Sequence, residues 1–82
     1  MGKVATIFKV YSEDSADSNS ILKMISDKLK PTSTQIEEIG FGIKVIKVMF
    51  VHEDNEGSTE YEKKLREFPG VKEVEVEEES LL

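Results

Sequence analysis

Two spacings of apolar residues run through the chain and divide it into elements. From Val4 onward, Thr6, Phe8 and Val10 alternate with Ala5, Ile7, Lys9 and Tyr11, and this period of two predicts a strand over residues 3–11. Between Ser12 and Ser20, the Ser, Asp and Asn side chains compete for backbone groups and favour a loop that leads into a helix. Ile21, Leu22, Ile25 and Leu29 then recur at steps of three and four, which stacks them on one side of a helix that ends before Pro31. Lys23, Asp27, Lys28 and Lys30 fall on its outer side, where the cations suit the negative end of the helix dipole.

The same order returns with different residues. After the Pro31-Thr32-Ser33 turn, Thr34, Ile36 and Glu38 alternate with Gln35, Glu37 and Ile39, a weaker strand that stops at Gly40. From Ile43 to Val51 both alternating sets are largely apolar. Ile46, Val48 and Phe50 share one face and Val45, Met49 and Val51 the other, as in a central strand or one whose second face meets a partner. His52 to Gly57 forms an acidic turn, with Ser58 or Thr59 expected to cap a second helix and Glu62 completing a capping box with Thr59. Tyr61, Leu65 and Phe68 line that helix until Pro69-Gly70 ends it, and Val71, Val74 and Val76 begin a last strand among glutamates. With right-handed crossovers, β-α-β-β-α-β predicts an α+β fold: a ferredoxin-like sandwich, its four-stranded antiparallel sheet carrying two helices on one face. One domain over residues 1–82 is expected. Its core should join Phe8, Ile46, Val48, Phe50, Val74 and Val76 to Ile21, Ile25, Leu29, Tyr61, Leu65 and Phe68.

Composition narrows the chemistry. A chain of 82 residues has room for one thin core, which makes a deep catalytic cleft improbable. Seventeen Asp and Glu against eleven Lys and Arg leave a net charge of −6, which repels phosphate backbones and anionic membranes. Nucleic acid and membranes are therefore not expected partners. Without cysteine there is no disulfide framework, zinc ribbon or thiol nucleophile, and the single His52 cannot form a metal site alone, so no cofactor or metal is expected. No run approaches the roughly 18 to 20 apolar residues of a spanning helix, and the opening residues lack a signal-peptide stretch, so a cytoplasmic location is the expectation.

The acidic turn Glu53-Asp54-Asn55-Glu56-Gly57 lacks the alternating ligands and bidentate Glu of a calcium loop and is expected to be solvated. His52 has neither nucleophile nor second ligand beside it, which points to a structural role. Glu73, Glu75, Glu77, Glu78 and Glu79 form an acidic run whose alternating part suits the solvent side of an edge strand kept from aggregating by charge, and the run could also steer a basic partner. Nothing suggests a pocket that would separate the pKa values of a carboxylate pair, so no enzyme active site is expected.

Gly40-Phe41-Gly42 stands apart. A glycine on each side frees the backbone while the flanking strands hold its ends, so the ring can project from the tip of the sheet. It can also fold back and cap the core, the outcome that the cost of exposing an apolar ring favours. The pattern is neither G-x-G-x-x-G nor a P-loop.

At these residues the chain resembles the guanine-nucleotide exchange domain of the translation elongation factor 1-beta family, in its short archaeal-type form. The likeness centres on Ile39-Gly40-Phe41-Gly42-Ile43-Lys44, continues through Val51, Glu53, Asp54 and Thr59-Glu60, and reaches Gly70-Val71 and the last strand. It implies a partner, the GTPase elongation factor 1-alpha, whose GDP release this chain would speed so that GTP can bind. It also implies that Phe41 contacts the GTPase near its nucleotide site, and that Gly40, Gly42, Ile43 and Lys44 belong to the same surface. Eukaryotic relatives place a lysine next to last, reaching toward the magnesium ion. Leu81, followed by Leu82, stands there in this chain, which shifts more of the expected mechanism onto Phe41. The alternative is a small-ligand regulatory domain of ferredoxin-like form, which would bind a metabolite at strand ends or oligomer interfaces.

Overall fold

The computed structural model describes residues 2–13, 17–53 and 58–82, and the elements follow the expected order. They are β1 (Lys3–Ser12), α1 (Ser18–Leu29), β2 (Ser33–Gly40), β3 (Ile43–Glu53), α2 (Ser58–Arg66) and β4 (Val71–Leu81). The strands form one sheet in the order β2-β3-β1-β4, with every neighbouring pair antiparallel. This is the ferredoxin-like arrangement: β1 and β3 are central, and β2 and β4 are edges.

Helix starts and stops have local causes. Asp17 sits in extended backbone and caps α1, its carboxylate accepting from the Asn19 backbone N–H at 3.1 Å and the Ser20 hydroxyl at 3.1 Å. The helix thus begins at Ser18, ahead of the first apolar residue. It ends at Lys30 in the left-handed region, just before Pro31. Thr59 is the second residue of α2 rather than its cap, so the expected capping box does not form there. The position ahead of Ser58 and the rest of the acidic turn, residues 54–57, lie outside the described residues.

Phe8, Val10, Ile46, Val48, Phe50 and Val74 line one face of the sheet and meet Ile21, Ile25 and Leu65, all buried. Leu29, Tyr61 and Phe68 pack around this cluster half-buried. Phe50 approaches Phe8 edge-on with ring centroids 6.0 Å apart and stacks on Tyr61 at 4.4 Å. Val76 departs from expectation and is 45% exposed. It lies on an edge strand immediately before a β-bulge: Phe8 pairs with Val76 and Ile7 with Glu78, which leaves Glu77 as an extra residue.

That bulge settles a conflict on the sheet's outer face. Lys9 and Lys47 are direct register partners on β1 and β3, an unfavourable juxtaposition of like charges. Glu77 answers both, at 3.6 Å from Lys9 and 3.1 Å from Lys47, while Glu37 of β2 lies 3.2 Å from Lys47. One charged network therefore crosses all four strands. Its hydrogen bond with Lys47 is the main cause holding the Glu77 carboxyl below its ordinary range, and the same contact raises Lys47. On the same face Ala5 and Val45 are buried and Ile7, Met49 and Val51 half-buried, so the second apolar set of β3 is not left bare. On the β4 edge, the Glu73 carboxyl is lowered by the Val74 N–H and by Arg66, whose guanidinium lies 2.8 Å away and also donates to the Val74 carbonyl.

Candidate functional site

The hairpin joining β2 to β3 follows from its glycines. Pairing runs in step to Glu38 opposite Lys44 and then shifts, so that Gly40 faces Ile43 and Ile39 is the extra residue. Only Phe41 and Gly42 remain to reverse the chain. Their φ values are 53° and 76°, and positive φ at both central positions is what a type I′ hairpin turn demands. Gly40, at φ 111°, makes three such residues in succession. A Cβ built at Gly40 or Gly42 would meet nothing within 4 Å, so backbone conformation, not crowding, calls for glycine.

Phe41 is the residue that this geometry penalises. A left-handed conformation costs an L-residue roughly 1–2 kcal/mol, and the position is one where Asn or Gly is usual. The ring gains no burial in return, being 105% exposed. Of the two outcomes open from sequence, the ring projects and does not cap the core. Ile39 and Ile43 beside it are 53% and 52% exposed, so the tip carries a small apolar cluster around the phenyl group.

A cavity of about 360 Å³ opens beside the ring, between residues 41–44 and a wall made of Ser12, Glu13, Asp17 and Ser18. The Ser12 and Ser18 hydroxyls are 3.2 Å apart, and Asp17 is fixed by its capping bonds. Sequence reasoning missed both this wall and Ile39. The signal for the wall lay in topology, since the strand order puts the end of β1 and the β2–β3 turn at the same end of the sheet. Lys44 is exposed, faces Glu38 in register and lines the cavity.

Gly40, Phe41, Gly42, Ile43 and Lys44 are thus brought together, and Leu81 is not. Tyr11, near the hairpin end of β1, pairs with Val45, whereas Leu81 pairs with Val4 at the other end of that strand. Leu81 and Leu82 are 77% and 72% exposed, and the Leu82 N–H donates to the Lys3 carbonyl at 2.8 Å. Among the described residues there is no group of three His, Cys, Asp or Glu placed to hold a metal, and no helix is long and apolar enough to cross a membrane.

A small sandwich that spends backbone strain to present one bare aromatic ring on a two-residue turn has the build of a docking module, one that acts through contact with another macromolecule. Its family gives that class a definite meaning. Residues 5–82 match the model of the EF-1 guanine nucleotide exchange domain, and the chain belongs to that family. It is 41% identical to an elongation factor 1-beta from Aeropyrum pernix, in an alignment covering 94% of this chain and 93% of the relative. Elongation factors 1-beta from Methanosphaerula palustris and Methanospirillum hungatei are 38% and 39% identical, over 99% and 100% of both chains.

Proposed function

We propose that this chain promotes guanine-nucleotide exchange on elongation factor 1-alpha, releasing GDP so that GTP can rebind during polypeptide elongation, in the cytoplasm. Family membership over nearly the whole chain supports the exchange activity and favours it over a small-ligand regulatory domain. The observation that carries the site is Phe41, fully exposed on left-handed backbone between two glycines. In this reading Phe41 is the anchor, Gly40 and Gly42 hold the turn that aims it, and Ile43 supplies apolar rim. Lys44 offers a charge at the edge of the contact. Leu81, exposed at the far end of the sheet, serves a second contact separate from the first.

No bond in the nucleotide is made or broken by this chain. A factor that binds the nucleotide-free GTPase more tightly than the GDP-bound form must, by reciprocal linkage, weaken GDP binding by the same factor. The exposed ring suits that task, because its burial against the GTPase contributes roughly 1.5–3 kcal/mol and can be confined to one state of the partner. The test is release of a fluorescent GDP analogue from purified elongation factor 1-alpha. Substoichiometric amounts of this chain should accelerate release, and no acceleration with the cognate GTPase would overturn the proposal.

A further inference from the structure

His52 is buried on the helix side of β3, 6% exposed, and the exchange reading makes no use of it. Both its ring nitrogens are engaged. Nδ1 lies 3.0 Å from the Glu53 carbonyl oxygen, and Nε2 lies 2.9 Å from Oγ1 of Thr6, a fully buried residue on β1. The same Thr6 oxygen lies 3.3 Å from Oε2 of Glu79 on β4. Glu79 reaches this side of the sheet because the bulge at Glu77 shifts the alternation of the strand by one residue.

Counting protons shows what this chain of contacts does. A carbonyl can only accept, so Nδ1 must carry a hydrogen. If the imidazole holds one proton, Nε2 is an acceptor and the single Thr6 hydroxyl hydrogen must point to it. Glu79 then faces an oxygen with no hydrogen to offer. A second proton placed on Nε2 reverses the Thr6 contact, since the imidazolium donates to Oγ1 and the hydroxyl hydrogen turns to Glu79. With Glu79 ionised, only that state makes all three contacts hydrogen bonds, and the array then runs from a cation to a carboxylate.

We propose that Thr6 is a proton-operated relay through which His52 fixes the end of β4, tightening Glu79 to Leu82 against β1 when the imidazole is charged. The surrounding described groups fit this role. Tyr61 of α2 sets its ring 5.7 Å from the imidazole centroid, Glu79 approaches from β4, and Glu53 stands next on β3, in register with Lys3 of β1. No described cation is recorded in contact with Glu79, so the charged imidazole is the partner that the geometry offers it. His52 is on this account a positioning residue for the Leu81–Leu82 end, and the inference stands independently of the exchange activity.

Hydrogen exchange of the Leu82 amide, corrected for the intrinsic pH dependence, tests this at pH 5.5 and pH 8, which bracket the range where imidazoles change charge. Imidazole ¹⁵N spectra recorded alongside report the protons on His52. The expected result is roughly tenfold greater protection of Leu82 where those spectra show two ring protons than where they show one, as a charge-assisted bond provides. Glu79→Gln and Thr6→Val should each abolish that pH dependence, and Thr6→Ser should keep it. Should Thr6→Val fail to fold, Glu79→Gln on the exposed edge decides the question. An imidazole that keeps one protonation state, equal protection at both pH values, or a pH dependence that survives Glu79→Gln would each overturn the proposal.

Discussion

Phe41 and Phe50 lie on the same β-hairpin and have opposite surroundings. Phe50 is 3% exposed, stacked on Tyr61 and edge-on to Phe8, on a strand held by neighbours on both sides. Phe41 is bare, and its backbone occupies a region that a phenylalanine adopts only at a cost. Folding explains the first completely: alternation puts Phe50 on the helix face and burial rewards it. It leaves the second without a reason, since Asn at position 41 would serve the turn better and keep the tip wetter. The contrast separates what the chain needs in order to fold from what, on the proposed reading, it holds ready for a partner.

The comparison can be broken at either residue, and the largest effect belongs to the core. Phe50→Ala removes a ring from a packed cluster and should lower the unfolding free energy by about 3–5 kcal/mol in urea titrations. A loss below about 1 kcal/mol would mean that Phe50 is no more a core residue than Phe41. Gly40→Ala tests the turn. With open space around the new methyl group the cost comes from φ alone, about 1–2 kcal/mol, and the tip should lose exchange activity as its geometry changes. Unaltered stability would show that the backbone at the tip is not constrained as described.

The smallest effect concerns the charged network on the outer face, which has no counterpart at the tip. Glu77 is held below its ordinary value of 4.5, so its contribution is present above that value and lost as pH falls through the lowered one. Glu77→Gln should therefore be less stable than the wild type at pH 7, with the gap narrowing as the pH falls below 4.5. A gap that is the same at both pH values would remove Glu77 from the electrostatic account.

Much of this was legible in the residues. The order of elements and most of the core followed from spacings of two and of three to four, because a face that must be buried leaves a periodic record. Val76 did not, since its exposure depends on the bulge and on its edge position. The break in alternation at Glu77-Glu78-Glu79 was its only trace. The charged network on the outer face was likewise hidden, because Lys9, Lys47, Glu37 and Glu77 are ordinary surface residues until the register sets them side by side. At the tip, the glycines announced a special backbone but not the direction of the ring. The separation of Leu81 from Phe41 required the register of β4 on β1, which no local pattern encodes.

The central claim is that Phe41 serves a partner and not the fold. Phe41→Ala and wild-type protein should be compared in GDP release from elongation factor 1-alpha, with urea unfolding measured on the same samples. The account predicts that the variant loses most of the acceleration while its unfolding free energy stays within about 0.5 kcal/mol of wild type, the range usual for a surface substitution. Full acceleration by a folded Phe41→Ala protein would contradict it.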